Sequence, residues 1–185
     1  MGLFNILSLV FLVSEIVLLM AKKSRSGQTS VKKDRHSMLV LWIVITASVA
    51  GAFALSGLFP RTGKWITLAY AGAGIMVLGM AVRWTAIVQL GKAFTVDVAI
   101  TTNHRLMDSG LYSVVRHPSY LGLLLTFLGM SLFFNSWVPL FSMNIPIFLA
   151  LHYRMNVEEE LLVSHFGEAY TKYMQRVKRL VVGVY

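Results

Sequence analysis

The sequence of 185 residues contains no cysteine and few charged residues. Without cysteine, disulfides, thiolate nucleophiles and cysteine-based zinc sites are excluded. Charged residues make up 14% of the chain, whereas apolar residues make up 56%. A soluble domain of this length has too little interior to bury so many apolar side chains. The composition therefore predicts an integral membrane protein.

Acidic residues are scarce as well, with 8 against 17 lysines and arginines, and the formal net charge is +9. Such a charge can indicate nucleic acid binding. Here, however, the basic residues lie beside hydrophobic stretches rather than along one polar face. That placement favours binding to anionic lipid headgroups, so we expect the lipid bilayer rather than a nucleic acid as partner. No metal is expected either.

Five apolar stretches predict about five transmembrane helices in an all-α fold. The first three are each long enough for about 30 Å of hydrocarbon at 1.5 Å per residue. The last two are shorter, are separated by only two residues and predict a tight helical hairpin. The five stretches cover Gly2 to Ala21, Met38 to Phe59, Trp65 to Leu90, Tyr120 to Phe134 and Trp137 to Tyr153.

The basic residues predict the orientation in the membrane. Fourteen of the 17 lie in three segments on one side: between the first two helices, before the hairpin, and after the fifth helix. Only Arg61 and Lys64 lie opposite. The positive-inside rule then places the N-terminus outside and the C-terminus in the cytoplasm. The membrane is expected to be the plasma membrane in a prokaryote or the endoplasmic reticulum in a eukaryote.

The polar tail is expected to form a separate amphipathic cytoplasmic helix from Asn156 to Val177. Its apolar residues recur at helical spacing. Glu158, Glu159 and Glu160 stand at its start and basic residues at its end, which suits the helix dipole.

A long polar connection, from Leu90 to Gly122, precedes the hairpin. Loops of this length are more often functional than connective. His117-Pro118 predicts a helix start, because proline is tolerated in the first turn. The N-terminus of that helix offers backbone N–H groups to an anionic ligand. On the same side of the membrane, Arg154 and Glu158 are four residues apart and share a helix face.

Three motifs occur in order in this half of the chain: HRL with SGLY from residue 104, RHPSYLG from Arg116, and RMNVEEELL with FGEAY from Arg154. Motifs related to RHP-x-Y-x-G also occur in sterol reductases and in other small membrane methyltransferases. All three together resemble the isoprenylcysteine carboxyl methyltransferase family, from about Leu90 to Leu180. The chain departs from the family pattern at Val181, where a proline is usual, and at Arg105 and Met107.

The resemblance implies a membrane methyltransferase with S-adenosylmethionine as cofactor. Its expected reaction is O-methylation of a carboxylate on a lipophilic small-molecule or prenylated substrate. Arg154 matches the catalytic, substrate-orienting arginine of the family. The expected cofactor-binding residues are His104, Arg105, Leu106, Met107, Tyr112, His117, Pro118, Ser119, Tyr120 and Glu158.

Residues 1–185 are expected to form one membrane domain. Residues 1–90 hold three transmembrane helices, and residues 91–185 hold the cofactor-binding loop, the hairpin and the C-terminal helix. Three alternative functions remain open at this point: an NADPH-dependent sterol-type reductase, a phospholipid N-methyltransferase and a non-catalytic membrane adaptor. Sterol-type reductases usually have more helices than the five expected here. The adaptor alternative does not explain why the loop and the tail carry these polar motifs.

Two charged residues, Glu15 and Arg83, lie deep within the first three apolar stretches. Each is roughly 10–12 Å from the end of its predicted helix at 1.5 Å per residue. An unpaired charge at that depth costs at least a few kcal/mol. We therefore predict that the first and third helices pack together, with Glu15 and Arg83 in contact or bridged by water.

Overall fold

The computed structural model describes residues 2–21, 32–56, 58, 66–91, 106–181 and 185. Within these residues the chain forms six α-helices and a short 3-10 helix, with no named β-strand, and the predicted all-α fold is confirmed. The helices are α1 (Leu3–Ala21), α2 (Lys32–Ser56), α3 (Ile66–Leu90), α4 (Pro118–Phe133), α5 (Trp137–Phe166) and α6 (Glu168–Arg176), and the 3-10 helix is Gly110–Ser113.

Two segments are long and apolar enough to cross a membrane by length and composition, namely His36–Ser56 and Ile66–Leu90. Leu3–Leu18 and Pro118–Phe133 are shorter apolar helices. α5 has an apolar N-terminal half and a charged C-terminal half. The count of five membrane spans therefore stays a prediction.

Large apolar side chains cover the outer faces of the helices. Leu9 of α1, Leu39 of α2 and Leu149 of α5 are each more than half exposed. A soluble protein rarely carries so continuous an apolar surface, because it promotes association in water. Lipid is the solvent that suits this surface.

The closest helix pair is α3 with α4, and it depends on glycine. A Cβ atom on Gly122 would lie 2.5 Å from the backbone nitrogen of Arg83 and 2.6 Å from the carbonyl oxygen of Gly79. Small residues at helix contacts allow this close backbone approach, which is a common way to pack helices in membranes. Around this pair, α1 packs on α3 and α4, while α2 packs on α5.

The predicted tight hairpin is present. α4 ends at Phe133 and α5 begins at Trp137. Asn135 has a φ of 52°, and asparagine is one of the few residues that adopt the left-handed conformation readily. Ser136 has an extended backbone and occupies the N-cap position of α5.

The predicted boundaries of the tail helix are wrong. α5 does not end near Tyr153 but continues to Phe166, because no helix-breaking residue intervenes. The break falls at Gly167, whose φ of 56° suits glycine. The amphipathic C-terminal helix is therefore α6, which buries Tyr170 and Tyr173. α2 also begins earlier than predicted, at Lys32 rather than at Met38.

Glu15 and Arg83 are in direct contact, so this prediction is confirmed. Arg83 Nε donates to Glu15 Oε1 and Arg83 Nη2 donates to Oε2, both at 2.6 Å. Both side chains are buried. The pair joins α1 to α3 through a bidentate, charge-assisted contact.

Candidate functional site

A cavity of about 600 Å³ lies among α1 to α6 and the segment before α4. This volume is within the range of roughly 300–1,000 Å³ that is common for small-molecule sites. One end is polar and is formed by the start of α4 and the charged half of α5. The other end is apolar and lies between facing sides of α1 and α2. The cavity thus combines two chemically different compartments.

The first turn of α4 forms one wall of the polar end. His117 is the N-cap residue and Pro118 is the first residue of the helix, as the sequence predicts. The His117 ring stacks on the Tyr120 ring, with 5.6 Å between centroids and 15° between planes. The Tyr120 hydroxyl donates a hydrogen bond to Glu158 Oε1, so α4 is joined to α5 at the cavity.

Arg154 lies on the opposite wall and is 1% exposed. Its Nε donates to Glu158 Oε1 at 3.2 Å, and its Nη1 donates to Ser37 Oγ of α2 at 2.7 Å. A buried guanidinium keeps its charge, because its pKa is too high for it to lose a proton in a protein. The cavity therefore presents a cation and a carboxylate one helical turn apart, which suits a ligand that carries both signs of charge.

Glu159, the next residue of α5, is the centre of a second buried cluster. Its Oε1 accepts from Arg116 Nε at 3.0 Å and lies 2.9 Å from His117 Nε2. Its Oε2 accepts from Arg179 Nη2 at 2.6 Å. Burial opposes ionisation of this carboxyl group, but the hydrogen bonds from His117 and Arg179 and the charges of His117 and Arg116 outweigh burial. Together they lower the pKa of Glu159 to about 2.

This cluster explains why the tail prediction was wrong. Glu158 and Glu159 do not face a helix N-terminus. They lie inside α5, and each is bound to arginine. Sequence reasoning did not assign Glu159, Arg116 or Arg179 to the site. A signal was available: neighbouring helical residues point about 100° apart, so Glu158 and Glu159 need different partners.

The C-terminal segment closes the polar end from outside the helices. The backbone N–H groups of Arg116 and His117 donate to the carbonyl oxygens of Lys178 at 2.8 Å and Arg179 at 3.0 Å. The Tyr173 hydroxyl of α6 donates to the Tyr112 carbonyl oxygen at 2.5 Å. These contacts hold the segment before α4 against the end of the chain.

Two tyrosines in this region stay protonated at physiological pH. Burial raises the pKa of Tyr173 to about 12. Burial and the nearby charge of Glu158 also raise the pKa of Tyr112 above its ordinary range. The Tyr112 hydroxyl donates to the Ala86 carbonyl oxygen of α3 at 3.3 Å. Both side chains therefore act as neutral hydrogen-bond donors that hold the wall of the cavity.

The structure brings most of the predicted site residues together. The predicted site residues that line this cavity are Leu106, Met107, Tyr112, His117, Ser119, Tyr120, Arg154 and Glu158. Pro118 is buried at the start of α4 and is not among the lining residues. His104 and Arg105 lie outside the described residues. The binding roles of all these residues stay predictions.

Comparison with known proteins gives consistent matches. The model of the isoprenylcysteine carboxyl methyltransferase (ICMT) family matches residues 72–164. The chain is 35% identical over 106 residues to the protein-S-isoprenylcysteine O-methyltransferase of Schizosaccharomyces pombe, covering 56% of this chain and 45% of that protein. It is 29% identical over 171 residues to protein-S-isoprenylcysteine O-methyltransferase B of Arabidopsis thaliana, covering 90% and 85%.

The chain thus spans less than half the length of the yeast relative. A solved structure of a eukaryotic intramembrane Ras methyltransferase, also an ICMT, superposes with a TM-score of 0.74. The superposition covers 96% of this chain and 64% of that chain at 23% identity, which shows a shared fold. Since the family model matches half of the sequence and the fold agrees, this chain belongs to the isoprenylcysteine carboxyl methyltransferase family of integral membrane proteins.

Proposed function

We propose that this protein is an S-adenosylmethionine-dependent methyltransferase that O-methylates a carboxylate of a lipophilic or prenylated substrate. One observation carries the proposal: a single cavity joins the ion pair of buried Arg154 and partly buried Glu158 to an apolar chamber between α1 and α2. A carboxylate at the end of a hydrocarbon tail matches both compartments. The names of the curated relatives support the same reaction class.

The residues at the polar end fit the proposed cofactor. S-adenosylmethionine carries an ammonium group, ribose hydroxyls and a flat purine, and when bound it supplies a methyl group activated on a positively charged sulfur. Glu158 is the carboxylate that would hold its cationic or hydroxyl groups. Tyr112, His117 and Tyr120 supply ring surfaces, and Ser119 supplies a hydroxyl. Leu106 and Met107 add apolar contacts, and His104 and Arg105 are proposed with them.

The acceptor side requires an anchor rather than a base. An ionised carboxylate is already nucleophilic at neutral pH, so no side chain has to remove a proton from it. Arg154 would hold this carboxylate through charge-assisted N–H contacts inside a buried site. Holding it in a fixed orientation toward the donor end of the cavity supplies proximity and alignment, which can lower a barrier by several kcal/mol.

The apolar chamber would receive the hydrocarbon tail. Leu12 of α1 and Phe53 of α2 line this chamber and are 56% and 50% exposed. Side chains that both line a chamber and remain half exposed mark its mouth. The mouth lies between two apolar helices, so it opens toward lipid. A prenyl tail could therefore stay in the bilayer while its carboxylate reaches Arg154.

We also propose that the C-terminus lies in the cytoplasm and the N-terminus outside, with five membrane spans. The concentration of basic residues on one side supports this orientation. In that orientation Arg154 and Glu158, in the charged half of α5, and the first turn of α4 lie toward the cytoplasmic side. Substrate and cofactor would then meet at the cytoplasmic surface of the membrane.

The proposal is tested with purified protein in lipid nanodiscs. Binding of S-adenosylmethionine is measured by calorimetry, and transfer of labelled methyl to a farnesylated cysteine with a free carboxylate is measured as a rate. We expect Arg154→Ala to lower turnover about 100-fold with donor affinity nearly unchanged, because a buried charge-assisted contact is lost. We expect Glu158→Ala to weaken donor binding itself. Exposed Lys172→Ala serves as the control.

Each alternative gives a different result. Wild-type protein that binds NADPH instead of S-adenosylmethionine is a reductase, and protein that binds neither is an adaptor. Methylation of a phospholipid amine, but not of the carboxylate, identifies an N-methyltransferase. If both variants retain the wild-type methylation rate, the assigned roles of Arg154 and Glu158 are wrong.

A further inference from the structure

We propose that Glu15 and Arg83 are a positioning pair that fixes α1 as one wall of the acceptor chamber. The proposal rests on the proposed methyltransferase function for its kinetic readout. Neither residue belongs to the three motifs that connect the chain to its family. Both are buried, and both line the cavity.

The Arg83 guanidinium connects three helices. Two of its nitrogens bind the two oxygens of Glu15 on α1, each at 2.6 Å. The third, Nη1, donates to Ser119 of α4, at 3.0 Å to Oγ and 3.3 Å to the carbonyl oxygen. Ser119 lies in the same helical turn as His117 and Tyr120. The pair therefore connects α1 directly to the turn that forms the polar end of the cavity.

The guanidinium is not needed to hold α3 against α4. Their backbones already meet at Gly79 and Gly122, where no Cβ atom fits. That contact involves the backbone nitrogen and the Cβ atom of Arg83 rather than its guanidinium group. Loss of the ion pair should therefore release α1 and leave the packing of α3 on α4 in place.

The other buried side chains described in α1 are apolar: Phe4 and Phe11 lie nearer its N-terminus, and Leu18 lies nearer its C-terminus. Phe4 stacks on Phe133 with 4.0 Å between ring centroids, and Phe11 meets the edge of Phe127 at 5.6 Å. Inside a bilayer, lipid tails can replace apolar contacts between helices at little cost. They cannot replace the partner of a buried charge. Glu15 is therefore the contact in the C-terminal half of α1 that lipid cannot replace.

The position of α1 sets the width of the chamber. The α1 face with Phe11, Leu12 and Glu15 lines it opposite the α2 face with Trp42 and Ile45. α1 packs on α3 and α4, whereas α2 packs mainly on α5. α1 and α2 meet at the rings of Phe4 and Phe53, with 6.5 Å between centroids, near the N-terminus of α1 and away from Glu15. When the Glu15 contact is lost, the mouth between α1 and α2 should widen and hold the acceptor less tightly.

The main test compares Glu15→Gln with Glu168→Gln, in which an exposed glutamate of another ion pair is changed in the same way. The chain has no cysteine, so spin labels can be placed only where wanted, at Val13→Cys on α1 and Ile43→Cys on α2. Both positions are exposed. Distances between labels in nanodiscs are measured by pulsed electron resonance, and methylation rates are measured against concentration of a farnesylated cysteine.

We expect Glu15→Gln to lengthen and broaden the distance distribution between α1 and α2. The KM for the farnesylated cysteine should rise about tenfold, because the competent arrangement of α1 is then only a fraction of the population. The kcat and the affinity for S-adenosylmethionine should stay within about twofold, since both carboxylate oxygens of Glu15 bind Arg83 and not the proposed binding residues Arg154 and Glu158. Glu168→Gln should change none of these quantities.

An unchanged distance distribution and an unchanged acceptor KM in Glu15→Gln would overturn the positioning role. If this variant does not fold, it is replaced by the double variant Glu15→Gln with Arg83→Gln, which leaves no unpaired charge. The distance distribution and the acceptor KM of the double variant then decide the positioning role in the same way. If wild-type protein shows no methylation at all, the proposed function fails, and the distances alone decide the role of the pair.

Discussion

Replacing Glu159 by glutamine tests the buried charge cluster with almost no change in shape. The carboxylate is 3% exposed and lies 2.6 to 3.0 Å from nitrogens of Arg116, His117 and Arg179. An amide in its place keeps one oxygen acceptor but removes the charge. The buried guanidinium of Arg116 and the partly buried one of Arg179 then lose this counter-ion, so the variant reports the electrostatic part of the cluster.

The size of the effect follows from the pKa of Glu159. Its fall from 4.5 to about 2 in the folded protein corresponds to about 3 kcal/mol, at about 1.4 kcal/mol for each tenfold change in an equilibrium constant. Removing one partner of a buried ion pair commonly costs about 3–5 kcal/mol, which is consistent. We therefore expect Glu159→Gln to lower the free energy of unfolding by about 3 kcal/mol at neutral pH.

The pH dependence gives the sign of the effect. Because folding lowers the pKa of Glu159, its stabilisation is complete above pH 4.5 and is lost as the pH falls toward 2. The difference between wild type and Glu159→Gln should be constant near neutrality and shrink below pH 4.5. Unfolding is followed by tryptophan fluorescence in detergent, with exposed Glu168→Gln as control. A difference that is absent, or that does not change with pH, would refute the electrostatic account.

Two further predictions concern packing and orientation. Gly122→Ala should destabilise the protein by at least about 1–3 kcal/mol, because the added Cβ atom meets the backbone of α3. At Gly51 an added Cβ atom meets nothing within 4 Å, so Gly51→Ala should be neutral or stabilising by up to about 1 kcal/mol. Equal melting temperatures of the two variants would contradict this. A single cysteine at exposed Ser164 should react with a membrane-impermeant maleimide only in inside-out vesicles, and reaction in right-side-out vesicles would reverse the proposed orientation.

The helices that begin or end at a sharp change from apolar to polar residues could be predicted closely. α1, α3 and α4 begin and end within two residues of the predicted limits. The helix boundaries in the tail could not be predicted, because three glutamates in a row suit both a helix N-terminus and a helix interior with arginine partners. Only the fold shows that Arg116 and Arg179 reach Glu159, 43 and 20 residues away along the chain.

The ion pair of Glu15 and Arg83, unlike the contacts of the tail, could be predicted from the sequence. In hydrocarbon, few partners can satisfy a charge, so two deep charges on neighbouring helices are expected to meet. At the membrane surface, water offers every charged side chain an alternative. The pairing of Arg154 with Ser37, 117 residues away, could therefore not be deduced from spacing. The motifs indicated which residues belong to the site, but not which of them hold it together.

The continuous course of α5 explains how one helical turn serves both binding and architecture. Arg154 and Glu158 are one turn apart on the face that lines the cavity. Glu159 points about 100° away, toward Arg116 and Arg179. A break between a fifth helix that ends at Tyr153 and a tail helix that begins at Asn156, as predicted from the sequence, would uncouple these positions. Since α5 is unbroken, the cluster around Glu159 fixes the rotation of the helix and thereby the direction in which Glu158 and Arg154 face the cavity.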